Sequence, residues 1–337
     1  MAQRRGIRAA VGLLLFSMVS CLAGPPIRAQ SENTEKIYQR LLRSTVWVVV
    51  PTSRDLTTNR VVLTTGSGSL IDRARRLVLT NYHVVRHVVG KENEKVIVAF
   101  PVFQNGKAVA ERSFYVSYIS RGGIRGQVIA WDEKRDLALI KLERVPDEAQ
   151  QVALARESPS PGQDVHSVGN PGQSGALWVY TPGKVRQVYH QKWHSGSGAD
   201  RLDLEAKIVE TQSPINRGDS GGPLVNNKGE LVAVTQGHLL DAQQLSLFID
   251  VSEVRTFLTH KRLLPSPMSE NARSLASSSE SKPPDEEKRA ATRLEFAKEL
   301  AQAGKLETAK AYCQQILDSY PKTKAADGAR LLLDKLK

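Results

Sequence analysis

The chain is poor in the things that would make it fibrous, membrane-spanning or disulfide-stapled. Of its 337 residues only Cys21 and Cys313 are cysteines. Cys21 lies in an N-terminal segment with the pattern of an export signal, so a processed chain keeps one thiol and cannot close an internal disulfide. Stability must then come from a core, and 40% apolar content is enough to build one. Cys313 sits on a helical apolar face, where a small buried hydrophobe is expected. There is no apolar run of the ~20 residues a membrane span needs. The longest, Ala9 to Ala23, has 15 residues and follows Arg4, Arg5 and Arg8. That order of charge, short apolar run and small residues reads as a signal peptide over residues 1–29, with Ala23 and Ala29 both suited to its last position. It predicts an exported, periplasmic or extracellular protein. Membrane association is expected only if this segment is retained as an anchor or lipidated at Cys21. A basic cluster with interleaved aromatics is also missing. The net charge of +12 falls to +8 without the four arginines of residues 1–29, and the remaining Lys and Arg are scattered, which excludes a nucleic-acid partner.

What is present from residue 37 to 250 is a series of short apolar runs with turn residues between them. Examples are Ser44–Val50, Val61–Ile71, Leu77–Thr80, Val96–Phe103, Arg125–Ala130, Ala138–Leu142, Asp164–Val168, Val179–Gln187 and Leu231–Thr235. Many short strands at this spacing predict a sandwich or barrel. Val84–Val89 reads as one or two helical turns, and Ser252–Lys261 as a helix with Ser252 at its N-cap. Residues 265–287, rich in Ser, Pro, Glu and Lys, cannot bury enough surface to fold and read as a linker. Helical periodicity resumes over 288–337. Leu294, Ala297 and Leu300 share one face. Leu306, Ala309, Cys313, Ile316 and Tyr320 share a second, and Ala325, Ala329, Leu332 and Leu336 a third.

Three strings carry chemistry. In Gly218-Asp219-Ser220-Gly221-Gly222-Pro223-Leu224 a serine stands among glycines. A serine hydroxyl needs an adjacent base to become a nucleophile and backbone N–H donors for the oxyanion that forms; glycines permit the tight turn that aims such donors. In Leu79-Thr80-Asn81-Tyr82-His83-Val84-Val85 a histidine at a strand end is placed to serve as that base. In Arg135-Asp136-Leu137-Ala138-Leu139-Ile140 a carboxylate opens an apolar strand, where it can orient the imidazole, with Asp132 as the competing carboxylate. His83 and His87 are four apart, but Val84 stands where a zincin needs Glu, and no metal or other cofactor is expected.

In the order His, Asp, Ser these strings resemble the trypsin-like (chymotrypsin-fold) serine proteases, and most the bacterial HtrA (Deg) branch. Gly66–Ile71, Thr80–Val85, Asp136–Lys141, Val168-Gly169-Asn170-Pro171 and Ser213–Val225 carry the likeness, which covers roughly residues 38–260. It implies a mainly β protease domain over 30–264 built of two six-stranded barrels, then the linker and a small α-helical C-terminal segment. It implies His83, Asp136 and Ser220 as the triad and the N–H groups of Gly218 and Ser220 as the oxyanion hole. It also implies a substrate site formed by Pro214, Ile215, Asn216, Gln236 and Gly237, with Val234–Gly237 pairing to a polypeptide substrate. Pro214, six before Ser220, replaces the acid that trypsin-type enzymes use to hold Lys or Arg, so small or medium aliphatic side chains are expected at the cleaved position. Arg217 and Asp219 depart from the branch, which commonly has Pro and Asn there. His83 and Asp136 are 53 residues apart, longer than is usual, which predicts a surface excursion over Phe100–Gly123. The residues after Lys261 are too few and of the wrong composition for the PDZ module common in this branch. The helical end resembles a single tetratricopeptide-like unit through Phe296, Ala297, Leu300, Gly304, Ala309, Tyr312, Ile316 and Pro321, with a plain three-helix bundle or docking tail as the other reading. The whole predicts an endopeptidase acting on unfolded or misfolded envelope proteins. The alternative is a protease-fold binding or scaffold protein with a protein partner at its helical tail.

Overall fold

A computed structural model describes residues 27–54, 61–91, 94–120, 123–196, 198, 201–238, 245–264, 286–302, 304 and 306–336. The signal-like segment up to residue 26 with Cys21, and residues 265–285 of the expected linker, lie outside them. Two closed six-stranded barrels form the body. The first contains β1 (Thr45–Arg54), β2 (Val61–Asp72), β3 (Leu77–Thr80), β4 (Val96–Ala99), β7 (Ile124–Asp132) and β8 (Leu137–Leu142). The second contains β9 (Asp164–Gly169), β10 (Val179–Ser195), β11 (Leu202–Thr211), β12 (Pro223–Val225), β13 (Leu231–His238) and β14 (Ser246–Asp250). All their pairings are antiparallel.

Strand alternation divides the side chains between two cores. On β1, Val46, Val48 and Val50 fill the first barrel, while Trp47 and Val49 face the layer shared with the second. On β8, Ala138, Ile140 and Leu142 point inward, and Leu137 and Leu139 outward into that same layer. Both faces being buried, these strands read as unbroken apolar runs. Each such Val, Leu or Ile contributes roughly 1.5–3 kcal/mol of burial, which is how the described residues, with Cys313 free, hold together.

Several boundaries differ from expectation. A helix, α1 (Ile27–Ser44), precedes β1 and runs across the residue-29/30 boundary drawn from the signal pattern. Ile37, Leu41 and Leu42 recur at helical spacing and are buried in the shared layer. Tyr38 adds an edge-on contact with Tyr180 and a hydrogen bond to the Trp178 carbonyl (3.3 Å). The strand expected over Val96–Phe103 ends at Ala99, and β10 extends beyond Gln187 to Ser195 because β11 pairs with it to the end. The helix near 252 is α4 (Val251–His260), capped by Asp250, whose carboxylate accepts from the Ser252 N–H at 2.8 Å. A carboxylate two residues earlier outcompetes the Ser252 hydroxyl for this role.

The Phe100–Gly123 segment is less of a surface excursion than its length predicts. It holds a small hairpin, β5 (Phe103–Gln104) with β6 (Lys107–Ala108), and helix α3 (Arg112–Ser120). Tyr115 on α3 is fully buried edge-on against Trp178, and its hydroxyl accepts from the Val102 N–H and donates to the Val109 carbonyl, each at 2.9 Å.

The C-terminal unit is α5 (Glu286–Gln302), α6 (Leu306–Ser319) and α7 (Lys324–Lys335). Gly304, at φ +73°, supplies the left-handed residue that ends α5. The three helices close around their own core of Ala290, Leu294, Ala297, Cys313, Ile316, Ala325, Ala326 and Ala329. The unit also touches the segment after β8, where Arg293 pairs with Glu148, and the β5–β6 hairpin, where Gln315 donates to the Phe103 carbonyl. Among the described residues no helix is long and apolar enough to cross a membrane.

Candidate active site

His83 lies on α2 (Tyr82–Val85), the turn that leaves β3. Its Nδ1 is 2.7 Å from Asp136 Oδ2, and its backbone N–H donates to Asp136 Oδ1 at 2.9 Å. The carboxylate is thus held from two sides and is fully buried. Asp136 has φ +53°, a left-handed conformation uncommon for a residue with a Cβ. The Asn81 amide stabilises it by donating to the Asp136 carbonyl at 2.8 Å. Asp132, the competing carboxylate, is engaged elsewhere: its oxygens accept from the Arg135 N–H (3.0 Å) and guanidinium (2.8 Å). The other side of Arg135 meets Glu253 at 2.7 Å, tying the β7–β8 turn to α4. His87 is exposed, one turn beyond His83.

Ser220 belongs to the second barrel and reaches this pair through Gln236. The Ser220 hydroxyl donates to the Gln236 carbonyl at 3.2 Å, while the Gln236 side-chain amide donates to Asp136 Oδ2 at 3.3 Å. Gln236, one of the residues the resemblance assigns to the substrate site, occupies the bulge where β13 shifts register between Thr235 and Gly237; its side chain turns inward and is buried, while its carbonyl faces Ser220. Ile215 is likewise buried in the shared core, whereas Pro214 and Asn216 are exposed and Gly237 is half-buried.

The loop before the nucleophile is fixed from both barrels. Ser67 of β2 donates its hydroxyl to the Gly218 carbonyl (2.9 Å) and its N–H to the Ser220 carbonyl (2.7 Å). The Gly172 N–H donates to the Arg217 carbonyl at 2.6 Å. In a trans peptide the carbonyl and the following N–H point in opposite directions, so the Gly218 N–H is turned away from Gly172. Gly218 has φ +103°, and a Cβ there would lie 2.6 Å from the Asn170 carbonyl oxygen, so only glycine fits. Asp219 turns inward: its Oδ2 accepts from the Asn216 N–H at 2.8 Å, its Oδ1 has no protein partner, and burial pushes its pKa up to about 6.

The 171–175 loop that carries Gly172 is gripped by Arg112 at the start of α3. Its guanidinium donates to the carbonyls of Pro171 and Ser174, its N–H donates to the Gly175 carbonyl, and it stacks over Trp47. Burial lowers the Arg112 pKa. Arg112 was not foreseen; the long interval between His83 and Asp136 was its only trace in the sequence.

The family model of the trypsin-like peptidase domain matches residues 66–234, half of the chain. The chain belongs to the trypsin-like peptidase family. Among curated proteins, this trypsin-like chain is 24% identical over 153 residues to the serine protease Rv3671c of Mycobacterium tuberculosis, covering 45% of this chain and 37% of that one. It is 28% identical over 191 residues to the putative serine protease HhoA of Synechocystis, covering 56% and 41%. It is 25% identical over 181 residues to a Staphylococcus aureus protein named serine protease HtrA-like, covering 53% and 20%. The trypsin-like chain thus spans about two-fifths or less of the length of these relatives. The crystal structure of the M. tuberculosis Rv3671c protease in its active form aligns at TM-score 0.50 and 20% identity, over 74% of this chain and 93% of that one, a likeness of fold.

Proposed function

We propose that the chain is a serine endopeptidase that uses Ser220 as nucleophile, His83 as general base and Asp136 as the group that orients the imidazole. The observation that carries this reading is the position of Gln236, which touches Ser220 through its carbonyl and Asp136 through its amide while Asp136 holds His83. Ser220 Oγ attacks the scissile carbonyl carbon as its proton passes to His83 Nε2. Asp136 keeps the proton on Nδ1 and stabilises the imidazolium. The oxyanion is received by the N–H groups of Gly218 and Ser220, which find no backbone acceptor among the described residues. The carbon–nitrogen bond then breaks, His83 protonates the leaving amine, and water releases the acyl group by the same route.

The substrates in this reading are unfolded or misfolded envelope polypeptides met after export under the N-terminal segment. Small or medium aliphatic side chains occupy the primary pocket. The α-helical unit is a docking site for a protein partner. An aromatic-lined cavity of about 730 Å³, between Phe103, Phe114 and Tyr118 on one side and Phe296, Tyr312 and Tyr320 on the other, supports that role.

A fluorophosphonate probe should label the protein at Ser220, and Ser220→Ala should abolish both labelling and casein cleavage while leaving the fold intact. Labelling at another residue, or casein cleavage by the Ser220→Ala protein at the native rate, refutes the assignment.

A further inference from the structure

The long interval between His83 and Asp136 brings a cation behind the nucleophile loop. Residues 110–112 form a short main-chain ladder with residues 175–177. The Arg112 N–H donates to the Gly175 carbonyl (2.9 Å), the Leu177 N–H donates to the Ala110 carbonyl (2.8 Å), and Glu111 faces Ala176. That ladder fixes the end of the loop nearer β10. The end nearer β9 carries Gly172, and among the described residues it is hydrogen-bonded to α3 through the Arg112 side chain alone. Nε of the guanidinium donates to the Ser174 carbonyl at 2.9 Å, and Nη2 donates to the Pro171 carbonyl.

Pro171 and Gly172 share one peptide group, and it is trans. Its carbonyl accepts from Arg112 on one side, and its N–H donates to the Arg217 carbonyl at 2.6 Å on the other. The Arg217–Gly218 peptide is trans as well, so the Gly218 N–H leaves on the side opposite Gly172. A guanidinium and two peptide dipoles thus run head to tail into the loop before Ser220. The contact between the two loops has no slack: a Cβ on Gly172 would lie 3.3 Å from the Arg217 carbonyl oxygen, and one on Gly218 would lie 2.7 Å from the Gly172 nitrogen. The charge at the head of this chain does not serve to neutralise another. Arg112 is half-buried, its Cζ lies 5.3 Å from the centroid of the Trp47 ring, and no carboxylate among the described residues pairs with it. Burying an uncompensated cation is unfavourable, and a neutral side chain would tie the loop down with less desolvation. What the charge adds is strength along the chain, because charge-assisted hydrogen bonds are about twice as strong as neutral ones and polarise the bonds that follow.

We propose that Arg112 is a positioning residue of the reaction: through the Pro171–Gly172 and Arg217–Gly218 peptides it aims and polarises the Gly218 N–H for the oxyanion. This rests on the endopeptidase reading. Arg112 acts on the reacting atoms only through the two peptides between. Its effect therefore belongs to the state in which an oxyanion exists, whereas a bound, uncleaved peptide draws little on the Gly218 N–H. The main-chain ladder at residues 110–112 survives any side-chain substitution short of proline. Removing the guanidinium thus frees the end of the loop with Gly172 and leaves the other end in place.

The test separates tetrahedral from ground-state binding in the full-length protein. Native protein, Arg112→Met and Arg112→Lys are compared in hydrolysis of a peptide with Val at the cleaved position. They are also compared in inhibition by the matching peptide boronic acid, whose adduct with a serine is tetrahedral and anionic. Binding of the uncleaved peptide is measured by fluorescence anisotropy with Ser220→Ala added to each. Losing an oxyanion donor outright costs ~10²–10³ in kcat, and a donor that is present but misaimed costs less. Arg112→Met should therefore lower kcat and boronate affinity by about tenfold to a hundredfold, with KM and peptide affinity within about twofold of native. Arg112→Lys, which keeps the charge and can reach one of the two carbonyls, should lose about threefold to tenfold. Partial misfolding reduces the number of sites for both ligands and leaves the ratio of the two affinities unchanged, so it cannot imitate this result. Unchanged boronate affinity in Arg112→Met, or equal losses for boronate and peptide, overturns the proposal. So does an Arg112→Lys protein as impaired as Arg112→Met, since the charge would then contribute nothing. A native protein that binds no boronate and takes no fluorophosphonate overturns the endopeptidase reading, and this proposal with it.

Discussion

Asp219 offers a test of the loop before the nucleophile that does not depend on substrate. Its carboxyl group is buried, one oxygen accepts the Asn216 N–H, and the other has no protein partner. Burial raises its pKa from 3.8 to about 6. The folded protein therefore holds this proton more tightly than the unfolded chain does. Stability falls as pH rises through roughly 4 to 6, and the full cost, about 3 kcal/mol at ~1.4 kcal/mol per pH unit, is present above that window. Asp219→Asn removes the ionisation and keeps an acceptor for the Asn216 N–H. Its amide NH₂ still lies against Gly169 without a partner, which returns about 1–2 kcal/mol of the gain. The variant should thus be more stable than the native protein by about 1–2 kcal/mol at pH 8 and should lose that advantage below about pH 5. Urea unfolding at intervals from pH 5 to 8, in a Ser220→Ala background that prevents self-cleavage, measures both curves. Parallel curves for the two proteins would refute the reasoning, because the carboxylate would then not be charged and buried in the folded state.

The two neighbouring carboxylates should separate cleanly. Asp136→Asn should lower kcat by about 10⁴, while Asp132→Asn should change kcat less than tenfold and show its effect in thermal stability by releasing Arg135; the reverse ranking in peptide hydrolysis would show that the wrong carboxylate was chosen. A chain ending at Leu264 should stay folded and cleave a short peptide within about twofold of the full chain, because the helical unit has its own core, both triad and oxyanion loop precede it, and the polar contacts it contributes, Arg293–Glu148 and Gln315–Phe103, are each worth about 0–1.5 kcal/mol. Loss of all activity on that peptide would make the helical unit part of the catalytic body.

Some of this protein is legible one segment at a time. The glycines around Ser220, the histidine after β3 and the aspartate before β8 are each set by local requirements: a tight turn, a strand end, a strand start. Strand content is legible for the same reason, since burial on one or both faces leaves a periodic or unbroken apolar trace over five to ten residues. The helical stripes of 288–337 belong to the same class: Leu294, Ala297, Cys313, Ile316, Ala325 and Ala329 recur in the buried core, whereas Leu306, at the start of α6, is exposed.

What the sequence could not decide depends on segments far apart in the chain. The apolar strand after it favours Asp136 over Asp132 in the sequence, but what holds the two apart is tertiary: the positive φ at Asp136 and the amide of Asn81, 55 residues away, accompany its contact with His83, and Arg135 takes Asp132. Gln236 reads as one more strand residue until a bulge set by β14 drives its side chain against a carboxylate 100 residues earlier. Arg112 has no local signature at all, because its partners are carbonyls of a loop in the other barrel. The exposure of Val61–Leu63 is hidden for the opposite reason: by pattern they belong to a strand, and only the extent of β3 determines that one edge of that strand stays open. Local sequence specifies which groups are available and what backbone they prefer, whereas the direction each side chain takes is set by tertiary packing, which no short window of sequence contains.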